Sequence, residues 1–232
     1  MGVVDFDGLP AGIAEDLCEG GAALVLSDAS ALFTALRGVA DPAEIALATK
    51  AAAIGRHALA AAERDNLNAM IAAVESEARQ LGAEEIYVAA APDLGRDTRF
   101  RRIEGEAALG KNFALRATVA YKGTWVRLVR SMCEAAIMQE AAAQFSQAVA
   151  ALPGDRGFAG FRSWLVEGCR MAQPLDPLLG SRLGQGYPPL PGALVSVQAS
   201  LAVDGQTVLL GAPALIGQSG AASGLIADPL YD

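Results

Sequence analysis

Residues 110–130, GKNFALRATVAYKGTWVRLVR, carry the pattern from which the rest of the chain is read. Two alternating segments, 112–121 and 124–130, flank Lys122-Gly123. In the first, Phe113, Leu115, Ala117, Val119 and Tyr121 fall on one face, with Asn112, Arg116 and Thr118 on the other. A period of two, with aromatic and β-branched residues and a glycine at the joint, predicts an antiparallel hairpin. The second segment puts Trp125, Arg127 and Val129 on one face. Arg116 and Arg127 therefore stand mid-strand, where a long charged side chain needs a reason.

The flanks supply helices. Asp41-Pro42-Ala43-Glu44 is a strong helix start: Asp41 can cap, Pro42 suits the first helical position, and Glu44 stands where a capping box wants it. This helix is expected over 41–64. Leu67, Met70, Ile71, Val74, Ala78 and Leu81 recur at helical spacing, and Gly82 ends that second amphipathic helix. EIYVAAA (85–91) reads as a strand, and 92–110 as a charged loop with one short strand near 100–103. Beyond the hairpin, 133–152 predicts a long helix closed by Pro153-Gly154, and 158–167 a second one ended by Gly168. Residues 174–191 are rich in proline and glycine. Strands over 193–201 and 206–210 are joined at Asp204-Gly205, a hairpin turn signal, and short strands at 214–217 and 224–227 complete the sheet. Helices, strands, helices, strands make an approximate internal repeat.

Residues 1–40 contain one apolar run, AALVL (22–26), read as a buried strand, and a helix near 29–36. That is too little to bury a core. The organisation expected is a short segment over 1–40, a linker or the remnant of an amino-terminal domain, followed by one α+β domain over 41–232.

The 232 residues are 53% hydrophobic, with mean hydropathy +0.31, but alanine supplies much of this. No run approaches the ~18 apolar residues of a membrane helix. MGVVDFDGLP lacks the basic and apolar regions of a signal peptide. A soluble, cytoplasmic protein is the expectation. A net charge of −8 opposes a nucleic-acid partner. The three cysteines (Cys18, Cys133, Cys169) have no metal-binding spacing and read as reduced thiols.

The 110–130 stretch resembles the first metal-binding hairpin of the pita-bread family, which holds creatinase, prolidase, and methionine and Xaa-Pro aminopeptidases. In that family the hairpin contains Asp-x-Gly and then Gly-Tyr-x-x-Asp-x-x-Arg. Gly110, Gly123 and Arg130 match it, but the two aspartate positions hold Arg116 and Arg127. DPAEIALATKAAAIG (41–55) is likewise similar to the opening of the pita-bread domain in Xaa-Pro aminopeptidases. The resemblance implies a curved antiparallel sheet with helices on its outer face.

It also implies where the ligands would stand. Gly168-Cys169-Arg170-Met171-Ala172 is similar to the Gly-His-x-x-Gly phrase, with Cys169 replacing the ligand histidine and Asp176 the substrate-contacting one. Gly192–Gln198 resembles Gly-Met-Val-x-x-Ile-Glu, with Gln198 in place of the glutamate, and the last glutamate falls at about Gly211. Two permanently protonated guanidiniums repel divalent cations, so no metal and no cofactor is expected. Creatinase, which works without metal through a histidine, does not rescue the chemistry: that position falls near Thr98 or Arg99, and the chain's single histidine is His57, in the first long helix.

Two readings of the arginines stay open. Arg116, Arg127, Asp176 and Gln198 can form a pocket for a small anionic ligand, or each arginine pairs with an acidic side chain and fills the old cavity. Cys169 is a weak candidate nucleophile, lacking a partner base. The function expected is a non-catalytic pita-bread pseudo-peptidase serving as a binding or structural subunit. A metal-independent enzyme acting on a small anion, and a divergent Xaa-Pro aminopeptidase-like hydrolase, are the alternatives. The expected partner is a second copy or a related chain, with neither nucleic acid nor membrane.

Overall fold

The computed structural model describes residues 1–232 except 5, 20–23, 37, 64, 153–155, 170–181, 184–189, 218–221 and 225–232. The chain divides into two units, Met1–Val39 and Ala40–Asp232.

In the smaller unit, β1 (Gly2–Val3) pairs in parallel with β2 (Ser27–Asp28), and two helices follow these strands, α1 (Ala11–Glu19) and α2 (Ser30–Leu36). The strand expected over 22–26 is not formed at 24–26. The strand lies at β2 instead, and α1 was not foreseen.

The larger unit opens with α3 (Pro42–Ala60). Asp41 accepts from the Glu44 amide at 2.8 Å, and the Glu44 carboxylate accepts from the Asp41 amide at 2.9 Å, closing a capping box. Alanines 48, 51, 52 and 58 and Gly55 are buried on it. These small residues let the helix lie close on the sheet: a Cβ at Gly55 would sit 2.5 Å from Leu128 Cδ1. Next, α4 (Leu67–Gln80) is capped by Asn66, whose side chain accepts from the Ala69 amide at 2.9 Å, and buries Leu67, Met70, Val74 and Ala78.

β3 (Glu85–Ala91), β4 (Phe113–Tyr121) and β5 (Thr124–Met132) form an antiparallel meander. The hairpin turns through Lys122 (φ 47°) and Gly123 (φ 75°), two left-handed residues whose twist matches the flanking strands. Glu84 accepts from the Gly123 amide at 3.0 Å, and Arg130 Nη1 donates to the Leu59 carbonyl near the end of α3 at 3.1 Å, tying hairpin to helix. The short strand expected over 100–103 is a single bridge, Ala90 to Arg101.

The second half has α5 (Ala135–Ala150), β6 (Ser163–Gly168), β7 (Arg182–Leu183), β8 (Leu194–Val203), β9 (Gln206–Ile216) and β10 (Ala222–Gly224). The helix expected over 158–167 is instead a short 3-10 turn at Arg156–Phe158 followed by β6. Phe158 stacks on Trp164, ring centroids 4.9 Å apart, and meets Phe161 edge-on at 5.2 Å. That aromatic packing holds an extended chain where helical spacing had suggested otherwise. β9 also runs unbroken through 206–216, where two strands were expected, and turns from β8 at Asp204 (φ 47°) and Gly205 (φ 73°).

Strand order is β3-β4-β5-β9-β8-β6-β7, with β10 beside β9. The pairs are antiparallel except β6 with β7. The order is mirrored about the β5–β9 junction. The spacing that relates one turn (Lys122-Gly123) to the other (Asp204-Gly205) also relates Arg116 to Gln198 and Val129 to Gly211. Two large hydrophobic clusters fill the unit, one centred on α3, α4 and β3–β5 but including Cys169 and Leu194 from the second half, the other among α5, β6, β8 and β9. At the junction Val129 pairs with Gly211, where a Cβ would meet Val129 Cγ2 at 2.8 Å. Beside it, Ser131 Oγ donates to the Leu209 carbonyl at 2.8 Å and accepts from the Leu209 amide at 2.9 Å. No helix among the described residues is long and apolar enough to cross a membrane.

Candidate functional site

The face of the sheet opposite α3 is read from the strand register. One row across it holds Ala89, Arg116, Val129, Gly211, Gln198 and Leu165. The next holds Tyr87, Thr118 and Arg127 in one half, and Pro213, Ser196 and Glu167 in the other. The hairpin and the β8–β9 pair thus bring Arg116, Arg127 and Gln198 to one face.

Arg127 is wholly buried, at 0% exposure. Its Nε donates to Thr118 Oγ1 at 3.2 Å, and its Nη1 forms an ion pair with the Glu167 carboxylate. Gln198 Nε2 stands 3.5 Å from the same carboxylate oxygen, the limit of a hydrogen bond. Arg116, also buried, lies over the Phe100 ring with its guanidinium carbon 4.9 Å from the centroid. Ser196 Oγ and Gln198 Oε1 are buried and have no hydrogen-bond partner among the described residues.

Glu167 is thus a carboxylate partner of Arg127 that the sequence reading did not name; Asp176 lies outside the described residues. Glu167 escaped the sequence reading because 158–167 was assigned to a helix, which gives its side chain no place on the sheet face. The alternation of Trp164 and Val166 beside Glu167 was the signal available.

Cys169 directly follows β6 and is fully buried. Burial, and then the Glu167 charge, push its thiol up to about 12, against a smaller opposing effect of Arg127. A thiol so held is protonated at neutral pH, which weighs against a nucleophilic role. His57 is exposed on α3.

A metal pair does not fit these residues. Two guanidiniums stand on this face, and the carboxylate nearby, Glu167, is already paired with one of them. Among the described residues no three of His, Cys, Asp or Glu come together as ligands.

A cavity of about 350 Å³ lies elsewhere, at the β3–β4 connection, with Asp93, Asp97, Arg96 and Arg101 around it. Arg99 grips Asp97 through Nε and Nη2, each at 2.9 Å, and its amide donates to the same carboxylate at 3.0 Å. These hydrogen bonds hold the Asp97 carboxyl down at about 2. Arg99 is thus part of an ion-pair cluster.

No protein-family model and no curated protein sequence matches the chain. Solved structures do. Prolidase from Pyrococcus furiosus aligns with TM-score 0.67 and 16% identity, over 97% of this chain and 74% of the prolidase. Prolidase from Pyrococcus horikoshii OT3 aligns with TM-score 0.69 and 16% identity, over 100% of this chain and 75% of that one. X-Pro aminopeptidase from Thermotoga maritima MSB8 aligns with TM-score 0.67 and 13% identity, over 96% and 71%. Likeness at such low identity concerns the backbone: the chain has the pita-bread fold of prolidases and X-Pro aminopeptidases.

Proposed function

We propose that this chain is a non-catalytic pita-bread protein, a pseudo-peptidase that acts as a binding or structural subunit. One observation carries the reading: fully buried Arg127, paired with half-buried Glu167, stands on the sheet face where a hydrolase of this fold needs metal-binding carboxylates. A guanidinium cannot ligate a cation, and it holds the nearby carboxylate in a pair of its own. Cys169, protonated and buried, offers no metal-independent route. Arg127 already having a carboxylate partner also weighs against an anionic substrate at this position.

The test is direct. Purified protein is mixed with Mn²⁺, Co²⁺ or Zn²⁺ and titrated calorimetrically, then assayed on Ala-Pro and Met-Ala peptides. Neither stoichiometric metal binding nor hydrolysis is expected. Stoichiometric binding accompanied by turnover overturns the proposal.

A further inference from the structure

We propose that the Met1–Val39 unit is a docking element that orders on a protein surface with an apolar centre and a rim of lysine and arginine. The inference rests on the reading of the chain as a binding subunit and names the surface and the partner's chemistry.

The first observation is burial. None of the described residues in this unit is buried. Ile13, Val25, Leu32, Phe33 and Leu36 are between 44% and 78% exposed. Elsewhere among the described residues, no large apolar side chain is this exposed; Tyr87 at 41% and Leu190 at 42% come nearest. Ordering a chain costs conformational entropy, and here no buried side chain offsets it. On the short helix α2, Leu32, Phe33 and Leu36 stand at spacings of one and four, forming one apolar stripe. A stripe of this kind, left open, marks an interface.

The second observation is charge. Residues 1–39 contain six acidic side chains (Asp5, Asp7, Glu15, Asp16, Glu19, Asp28) against one basic, Arg37. The excess of five is more than half of the chain's net −8. Such a surface repels nucleic acid and anionic lipid. A second copy meeting it face to face would set like charges against each other, as a two-fold interface brings the same patch from both sides. A basic-rimmed protein surface satisfies both the apolar stripe and the acids.

The experiment is hydrogen–deuterium exchange on the full chain. It is run with a designed amphipathic Leu/Lys helical peptide and with its Leu/Glu counterpart, and light scattering is recorded alongside. Alone and monomeric, the amides of α1 and α2 are expected to exchange as an open segment. The Leu/Lys probe should slow them at least about tenfold. The protection should fall when NaCl is raised from about 50 to about 300 mM. The variant Leu32→Ser/Phe33→Ser/Leu36→Ser should bind the Leu/Lys probe at least about tenfold more weakly, with the melting of the larger unit unchanged. Four results overturn the proposal: protection already present in the monomer; protection that grows with dimerisation; equal response to both probes; or a variant that binds as the wild type does. Peptidase activity would sink the subunit reading without moving any of these exchange readouts, so the two failures are distinguishable.

Discussion

Arg127 on β5 and Glu167 on β6 form an ion pair although β9 and β8 stand between their strands. Adjacent strands lie about 4.8 Å apart, so in a flat sheet three such steps would separate the two backbones by about 14 Å. The two long side chains stand in one row and reach each other over the strands between, so the pair joins the two halves of the repeat across their shared face.

Removing Arg127 leaves the half-buried Glu167 carboxylate without its guanidinium, and removing Glu167 strands a fully buried charge. Arg127→Ala should destabilise the fold by about 3 kcal/mol or more in urea unfolding, whereas Arg127→Met with Glu167→Met should recover most of that loss. Phosphate or acetate should leave the wild-type melting temperature unchanged, since Arg127 is already paired with Glu167. A neutral Arg127→Ala, with a rise in wild-type melting temperature on adding anion, would favour a ligand site instead.

Gly211 is a steric requirement of the junction. A methyl there would stand 2.8 Å from Val129 Cγ2, 3.0 Å from Val129 Cβ and 3.1 Å from the Val197 carbonyl oxygen. Gly211→Ala should cost about 1–3 kcal/mol despite the smaller unfolded-state entropy of alanine. Adding Val129→Ala should recover part of that cost. Thermal unfolding of the two variants checks both signs.

The thiols should separate by accessibility. Iodoacetamide at pH 8 should alkylate exposed Cys18 quickly, half-buried Cys133 slowly, and Cys169 only after denaturation. The Cys169 thiol is raised from 9.0 to about 12, so its contribution is intact below pH 9.0. It is lost as pH rises toward 12, because the unfolded chain releases the proton first. Cys169→Ser should show a shallower alkaline decline than wild type, read from unfolding at stepped pH.

Asp97 should titrate abnormally low. Its carboxyl, held at about 2 by Arg99, is expected to show that midpoint in carboxyl-carbon NMR and to return toward 3.8 in Arg99→Ala. The stabilising effect is present above pH 3.8 and lost as pH falls through 2. An unchanged midpoint in the variant would show that Arg99 is not the cause.

How much of this was legible follows from the range of the interactions. The β4–β5 hairpin and the start of α3 could be read because their causes lie within a few residues: alternation about Lys122-Gly123, and Asp41 facing Glu44. β6 could not, since Trp164 is held by Phe158 and by its pairing with β8, and neither is visible in local spacing. That one error also hid Glu167. The gathering of Arg116, Arg127 and Gln198 on one face was expected from the resemblance, and the register delivers it. The carboxylate that meets Arg127 depends on the strand order and register of the whole sheet, which no short stretch of sequence specifies.

The β5–β9 junction sets the mechanical character of the larger unit. The ladders on either side are long: β4 and β5 pair over their full length from Phe113 to Tyr121, and β8 and β9 from Leu194 to Val203. Between them the described backbone pairing is Val129 with Gly211, beside one serine hydroxyl bound to Leu209. The backbone ladder is thus thinnest along the axis of the repeat. The two halves are therefore held to each other less by backbone ladder than by side chains: the Arg127–Glu167 pair, Asn112 bound to Gln206, and the packing of Leu194 and Cys169 in the cluster around α3.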